Sequence, residues 1–338
     1  MTLEALLAAV LLGVVTGAAG GLLGIVLSKR LGLLGVDIFK PWRRARVPEA
    51  AGFGLALLLS LGLLALHSLA GGSPVFYLAA SLLTLYNALV GLVDDARRMD
   101  PVTKPLLTMA SASIILLLCA GDWRVYVPLY GWARLSIVYP LVLPLFIGVS
   151  ANAFNMVDVV NGSMPTAFLA SSLAVAAGYA IMSSRLGVTV AEAEPILAYT
   201  ITAVLVYLLL YNRYPARAFN GDSGSLALGA LAAYQAMLAK QELIYLIAIT
   251  PLILNGFQIV TTVRGFVERR NIPRPTRIDE RGLVHARCDP RSPPTLVQLL
   301  TLKTPLDEKS IYQALLFLYA VSALIAIVAA LLVYTPRV

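Results

Sequence analysis

Residues 50–95 read AAGFGLALLLSLGLLALHSLAGGSPVFYLAASLLTLYNALVGLVDD. No Asp, Glu, Lys or Arg interrupts this stretch before Asp94. A helix that crosses a bilayer needs about 20 apolar residues. The run is long enough for two, and Gly71-Gly72-Ser73-Pro74 supplies the tight turn between them. The whole chain has the same character. Of its 338 residues 59% are hydrophobic and 13% are charged, against roughly 45–50% and 25% in soluble domains. Mean hydropathy is +0.82. So little polar surface excludes a soluble globule, and the composition also excludes disorder, collagen and a disulfide scaffold.

Outward from that stretch, further charge-poor runs occupy 5–28, 105–121, 135–157, 159–184, 195–212, 223–239, 243–263 and 310–336. Residues 5–28 have no basic segment ahead of them and no small-residue cleavage pattern, so they read as a retained helix. The expectation is an all-α, polytopic transmembrane bundle of about ten helices, a single integral-membrane domain over 1–338 with a large loop at 264–309. No ten-residue alternation of a membrane β-barrel is visible.

The net charge of +8 has a topological reading before any nucleic-acid one, and no nucleic-acid partner is expected. Loops 28–50, 94–104, 212–222 and 264–309 hold 21 of the 26 Lys and Arg, and the other side holds 5. The positive-inside rule then places those loops in the cytoplasm of a cell-membrane protein and both termini outside. Cys119 and Cys288 fall on opposite sides, which argues against a disulfide. His67 and His285 are too few and too far apart for a histidine metal site.

Polar residues at membrane boundaries are functional candidates, and four clusters lie on the expected cytoplasmic side. They are Pro48-Glu49, then Asp94-Asp95 followed by Lys104, then Asn152, Asn155, Asp158 and Asn161-Gly162, and last Phe219-Asn220-Gly221-Asp222. Paired carboxylates suit a divalent cation or proton transfer. Taken alone, Asp94-Asp95 also reads as a solvated helix end. Asn152, Asn155 and Asp158 recur every three residues and share a helix face, and their oxygens are hard donors suited to Mg²⁺. Interhelical bridging is the competing reading. Asn161-Gly162-Ser163 fits a glycosylation pattern, on the wrong side of the membrane. Gly221-Asp222-Ser223-Gly224 lacks the nearby base and oxyanion motif that a serine nucleophile needs; it suits a helix N-terminus where Asp222 holds a metal beside phosphate. Arg264, Arg269, Arg270, Arg274 and Arg277, spaced by Pro273 and Pro275, offer forks for phosphate oxygens or a headgroup patch.

Taken in order, these motifs resemble the polyprenyl-phosphate N-acetylhexosamine-1-phosphate transferases, and more closely the branch that uses dolichyl phosphate and UDP-GlcNAc. The matching segments are 35–52, Gly91-Leu-Val-Asp94-Asp95 with Lys104, Asn152-Ala-Phe-Asn155 with Asn161-Gly162, and Phe219-Asn-Gly-Asp222. Asp158 and 221–229 look more like the bacterial undecaprenyl-phosphate members. The chain lacks their His-rich last loop, and 272–277 resembles the Arg-rich motif of the dolichyl branch. The mixture points to an archaeal type.

The resemblance implies transfer of GlcNAc-1-phosphate from UDP-GlcNAc to a polyprenyl phosphate, with Mg²⁺ as cofactor and Mn²⁺ as its alternative. It implies Asn155 and Asp222 as metal ligands, with Asp158 a further candidate. Asp94, Asp95 and Lys104 serve the acceptor step and the phosphates. Glu49 and Asn161 contact uracil, Phe219 stacks on it, and Asn152 belongs to the nucleotide segment. Arg274 and Arg277 clamp the pyrophosphate, with Arg269 and Arg270 as competing choices. The partners implied are UDP-GlcNAc, the polyprenyl or dolichyl phosphate and membrane lipid. The oligomeric state stays open, a homodimer included. One alternative is the same chemistry with another UDP-N-acetylhexosamine; another, from a different class, is a secondary transporter, but its polar site would lie near mid-membrane, within repeats that this chain does not show. A non-catalytic scaffold leaves the carboxylates, the Asn ladder and Lys104 without a role.

Overall fold

The computed structural model describes residues 2–40, 46–128, 130–262 and 273–334. The chain is a helical membrane bundle. Its helices are α1 (Leu3–Leu31), α2 (Ala51–Ala70), α3 (Pro74–Arg97), α4 (Thr103–Ala110), α5 (Ala112–Leu117), α6 (Val138–Val157), α7 (Ser163–Leu186), α8 (Ala193–Tyr207), α9 (Gly221–Leu238), α10 (Glu242–Ala248), α11 (Thr250–Thr262), α12 (Leu296–Leu300) and α13 (Glu308–Val333). A π-helical turn, Leu208–Asn212, continues α8.

Within the described residues, each of the ten expected spans is largely helical. Among the described residues seven helices are long and apolar enough to cross a membrane alone, and α10 with α11 makes an eighth if that pair, bent by 67°, is one span. Pro251, which has no N–H to donate, sits at this bend. The other two expected spans depart from the simple picture. Residues 105–121 form the short pair α4–α5. Helix α9 carries Asp222, four serines or glycines in its first five residues, and Gln235, yet every residue from Ser223 to Leu238 is buried. It is the central post of the bundle, packed by α3, α6 and α2. A helix wholly surrounded by protein does not need the apolarity that lipid demands.

The all-helical expectation also omits three antiparallel hairpins. These are β1 (Leu34–Val36) with β2 (Arg46–Pro48), β3 (Arg124–Val127) with β4 (Gly131–Arg134), and β5 (Thr276–Ile278) with β6 (Val284–Ala286). Strands of three or four residues are too short to leave a legible alternation. The third hairpin is fixed to the bundle. Val284 exchanges backbone hydrogen bonds with Leu306 at 2.8 and 3.2 Å, and Leu296 N donates to Asn255 Oδ1 of α11 at 2.9 Å.

Two glycines let α3 meet the start of α9. Gly91 lies so close that an added Cβ would collide with the Asp222–Ser223 backbone. Gly221 has φ +67°, a left-handed conformation that disfavours side chains, and a Cβ there would sit 2.6 Å from Asp95 Oδ2. The last turn of α3 is thus seated against the first turn of α9.

Candidate active site

That seating separates the two neighbouring carboxylates. Asp95 accepts from Asp222 N at 2.8 Å and Ser223 N at 3.1 Å, two backbone donors that a helix start leaves unpaired. A carboxylate there is also favoured by the helix dipole. Asp94 turns to α4 instead, where Lys104 Nζ donates to its Oδ2 at 3.0 Å.

Lys104 is the hub of the cluster. Besides Asp94 it donates to Asn155 Oδ1 of α6 at 3.0 Å and, most closely, to Asp222 Oδ2 of α9. Asn155 Nδ2 in turn donates to Asp222 Oδ1 and to Ser225 Oγ, each at 2.8 Å. Four helices therefore each contribute one member of a single cluster. The side chains of Asp94, Lys104 and Asp222 keep 14%, 15% and 29% of their surface exposed, so the cluster opens on one side.

Three hard oxygens, from two carboxylates and an amide, surround one cationic nitrogen. The donor chemistry fits Mg²⁺ or Mn²⁺, and the ammonium stands where such a cation would be neutralised by the same oxygens. The set depends on the Asn155 amide, because among the described residues no group of three or more His, Cys, Asp and Glu could hold a metal ion.

The remaining candidates flank this centre. Asp158, just past α6, accepts from Asn220 Nδ2 at 2.8 Å and does not join the three oxygens. Burial pushes its carboxyl up to about 7; the Asn220 amide opposes the rise, and the charges of Asp222 and Asp95 add to it. Asn152 Nδ2 donates to Thr108 Oγ1 and to Gly148 O, each at 2.8 Å, tying α6 to α4. Glu49 is exposed and Phe219 half-buried. Their segments are paired, since Phe219 N donates to Pro48 O at 2.8 Å and Ala51 N to Phe219 O at 3.0 Å. Asn161 is buried, and its Nδ2 finds no hydrogen-bond partner. Arg274 and Arg277 are exposed beside and on β5, and no hydrogen bond or ion pair among the described residues joins them to the Lys104 cluster. Arg269 and Arg270 lie outside the described residues.

Some participants escaped the sequence reading. Ser225 had no signal beyond a small residue one turn after Gly221. Asn212 and Glu308 sit at helix ends and look like ordinary boundary residues. Asp37, Lys40 and Asn220 lie inside the motif segments at positions to which residue type alone gives no role.

The profile of the family described as glycosyl transferase family 4 matches residues 77–240. The match covers just under half of the chain. The matched region runs from α3 past α9 and contains Asp94, Lys104, Asn155 and Asp222; Glu49, Arg274 and Arg277 lie outside it. Among similar proteins is a phospho-N-acetylmuramoyl-pentapeptide-transferase of Moorella thermoacetica, 32% identical over 215 residues, which are 59% of this chain and 64% of that one. Another is a candidate UDP-N-acetylglucosamine–dolichyl-phosphate N-acetylglucosaminephosphotransferase of Sulfolobus acidocaldarius, 27% identical over 236 residues, 68% of this chain and 70% of that one. A candidate glycosyltransferase of Methanocaldococcus jannaschii is 26% identical over 251 residues, 74% and 73% of the two chains. For the first bacterial relatives the match spans only 55% to 64% of their length.

Proposed function

We propose that this protein transfers GlcNAc-1-phosphate from UDP-GlcNAc to a polyprenyl phosphate of the dolichyl type. This would be the first membrane step of lipid-linked oligosaccharide synthesis for protein N-glycosylation. The observation that carries the reading is the convergence of Asp94, Lys104, Asn155 and Asp222 from four helices at one end of the bundle. In the reaction, an oxygen of the lipid phosphate forms a bond to the β-phosphorus. The bond from that phosphorus to the bridging oxygen breaks, and UMP leaves with the electron pair. The lipid phosphate has a second pKa near about 6, so it is already an anion at neutral pH and needs no strong base.

Two anions must approach one another, so the site's task is to supply positive charge. Asp222 and Asn155 would hold Mg²⁺. When bound, the ion neutralises pyrophosphate oxygens and the charge growing on the leaving group. Lys104 neutralises a phosphate oxygen, and Asp94 orients Lys104 at the membrane boundary where the lipid headgroup arrives. Asp95 holds the first turn of α9, and with it Asp222, in place. Glu49, Asn161 and Phe219 receive the uracil, and the arginines of the last loop take the pyrophosphate. The site faces the cytoplasm, where the charge asymmetry puts it.

The test is a membrane assay with radiolabelled UDP-GlcNAc, polyprenyl phosphate and Mg²⁺. The expected result is labelled lipid and stoichiometric UMP. No lipid product would sink the reading. Product only from UDP-N-acetylmuramoyl-pentapeptide would move the substrate to that named by the bacterial relatives while keeping the chemistry. Impermeant thiol labelling of Cys288 in intact cells tests the orientation; labelling without permeabilisation would reverse it.

A further inference from the structure

We infer that Glu308 is a positioning residue for nucleotide recognition, acting with Lys40 and Asp37 to fix the backbone of Asn161. The inference rests on the transferase reading above. Glu308 is the first residue of α13 and is nearly inaccessible. Its Oε1 accepts from Asn161 N at 3.0 Å, and its Oε2 accepts from Lys40 Nζ at 3.1 Å. Lys40 also pairs closely with Asp37, whose Oδ1 accepts from Phe39 N at 3.2 Å. All three charged residues are buried.

Removing three charges from water is a poor way to gain stability, because desolvation offsets most of the attraction. What the triad does secure is relative position. It joins the first loop, the junction between α6 and α7, and the start of α13, which are far apart in sequence. The junction is held from its other side as well. Gly162 N donates to Asn212 Oδ1 at 3.1 Å, the same oxygen accepts from Asn220 Nδ2 at 3.2 Å, and Asn212 Nδ2 donates to Ala218 O at 2.9 Å. With Asn161 N and Gly162 N both bonded, the peptide planes on either side of the Asn161 Cα are fixed.

Besides Asn220 Oδ1, which is an acceptor, the Asn161 side chain is the polar group of this network left over. It is 95% buried and its amide Nδ2 has no partner. An unpaired buried donor is costly unless a ligand supplies the acceptor. A uridine nucleotide has carbonyl oxygens that can. Glu308 touches no substrate in this scheme; it sets where Asn161 presents its donor.

The experiment uses the purified full chain in detergent, as wild type, Glu308→Ala, Glu308→Gln, Lys40→Met, Asn161→Ala and the Glu308→Ala/Asn161→Ala double variant. Measured are kcat, KM for UDP-GlcNAc, KM for polyprenyl phosphate, and the thermal shift produced by UMP. Glu308→Ala and Lys40→Met should raise the nucleotide-sugar KM about tenfold, the effect of losing one charged hydrogen bond, with kcat and the lipid KM within about twofold. Glu308→Gln should fall between, because its amide oxygen still accepts from Asn161 N. The double variant should be no worse than Asn161→Ala, since both remove the same interaction. A lowered melting temperature with an unchanged nucleotide KM, equal losses in both KM values, or additive losses in the double variant would each overturn the inference. Should Glu308→Ala not fold, the isosteric Glu308→Gln and Lys40→Met carry the comparison. Wild type that neither turns over UDP-GlcNAc nor shifts with UMP would remove the transferase reading and the inference with it. Active wild type with unmoved variants would remove the inference alone.

Discussion

Helix α9 has a lysine cluster at each end, about 27 Å apart for 18 residues. At its start, Lys104 reaches three side-chain oxygens, of Asp94, Asn155 and Asp222. Past its end, Lys240 reaches the backbone oxygens of Asp122 at 2.6 Å and Arg124 at 3.4 Å, with the Asp122 carboxylate at 3.5 Å. Its neighbours serve the chain in the same way. Glu192 accepts from Ser73 N at 2.6 Å, and Glu242 accepts from Tyr139 OH at 2.6 Å. A cavity of about 290 Å³ lies here, lined by Asp122, Arg124, Glu192 and Lys240 among others. The residue types match, but their partners differ. The backbone oxygens nearest Lys240 belong to the segment that enters β3, and the ammonium fixes that segment. Side-chain oxygens from four separate helices, open on one side, can exchange that ammonium for a metal ion or a phosphate-bound partner. Convergence of side chains, and not the mere presence of charge, is what singles out the candidate site.

Removing a charge at the open end is the severest test of this contrast. Asp222→Asn should lower transfer by about 10²–10³-fold, the scale for losing a preorganised electrostatic contact, with little change in expression or melting temperature. Turnover near normal across a Mg²⁺ titration would erase the distinction between the two ends.

The next test divides Asp94 from Asp95. Asp94→Asn should cut kcat by about 10–100-fold while UMP affinity stays within about twofold. Asp95→Asn should cost stability as well, because Asp95 receives the first two backbone donors of α9. Parallel losses of rate and stability in both variants, followed by calorimetry and thermal melts, would show that the pair acts as one unit.

A smaller effect is expected at the exposed arginines. Arg274→Lys or Arg277→Lys should raise the KM for UDP-GlcNAc by about tenfold, since an ammonium cannot reproduce a bidentate fork. A flat comparison of lysine and alanine variants at 269, 270, 274 and 277 would mean that the last loop attracts headgroups and clamps nothing.

The smallest catalytic effect belongs to the opposite end. Lys240→Met should leave transfer within about twofold and lower stability by about 1–3 kcal/mol, from acceptors left unpaired. Burial holds the Lys240 amine below the usual lysine range, against the pull of the Glu242 and Asp122 charges. The folded chain therefore sheds this proton before the unfolded chain does. Stability should rise with pH above the folded value, up to the unfolded one near about 10.4, and Lys240→Met should flatten that rise in alkaline melts. A large loss of transfer with stability intact would make the two ends equivalent.

The helices were legible because lipid imposes a simple demand, apolar length, that a linear sequence displays. Helix α9 resisted that demand. Its Gly221-Asp222-Ser223-Gly224-Ser225 opening and Gln235 read as a weak span, and only its encirclement by α2, α3 and α6 explains how a polar helix start can be central. The candidate site divided along the same line. Asp94, Lys104, Asn155 and Asp222 were visible one by one as polar residues at span ends, and motif order grouped them. That Asp94 serves the cluster while Asp95 caps α9 was invisible, because adjacent residues carry no record of which way each side chain turns.

The sequence by itself determined that this chain is a membrane bundle and where its candidate site residues fall along it, since both follow from hydropathy and residue chemistry taken position by position. The tertiary structure decided which charges meet. Lys104 joins residues 10, 51 and 118 positions away, and Lys40 joins Glu308 across 268. Pairings at such separations depend on how helices pack and on glycines, such as Gly91 and Gly221, that let backbones approach. Packing is a property of surfaces brought together, and no local stretch of sequence contains it.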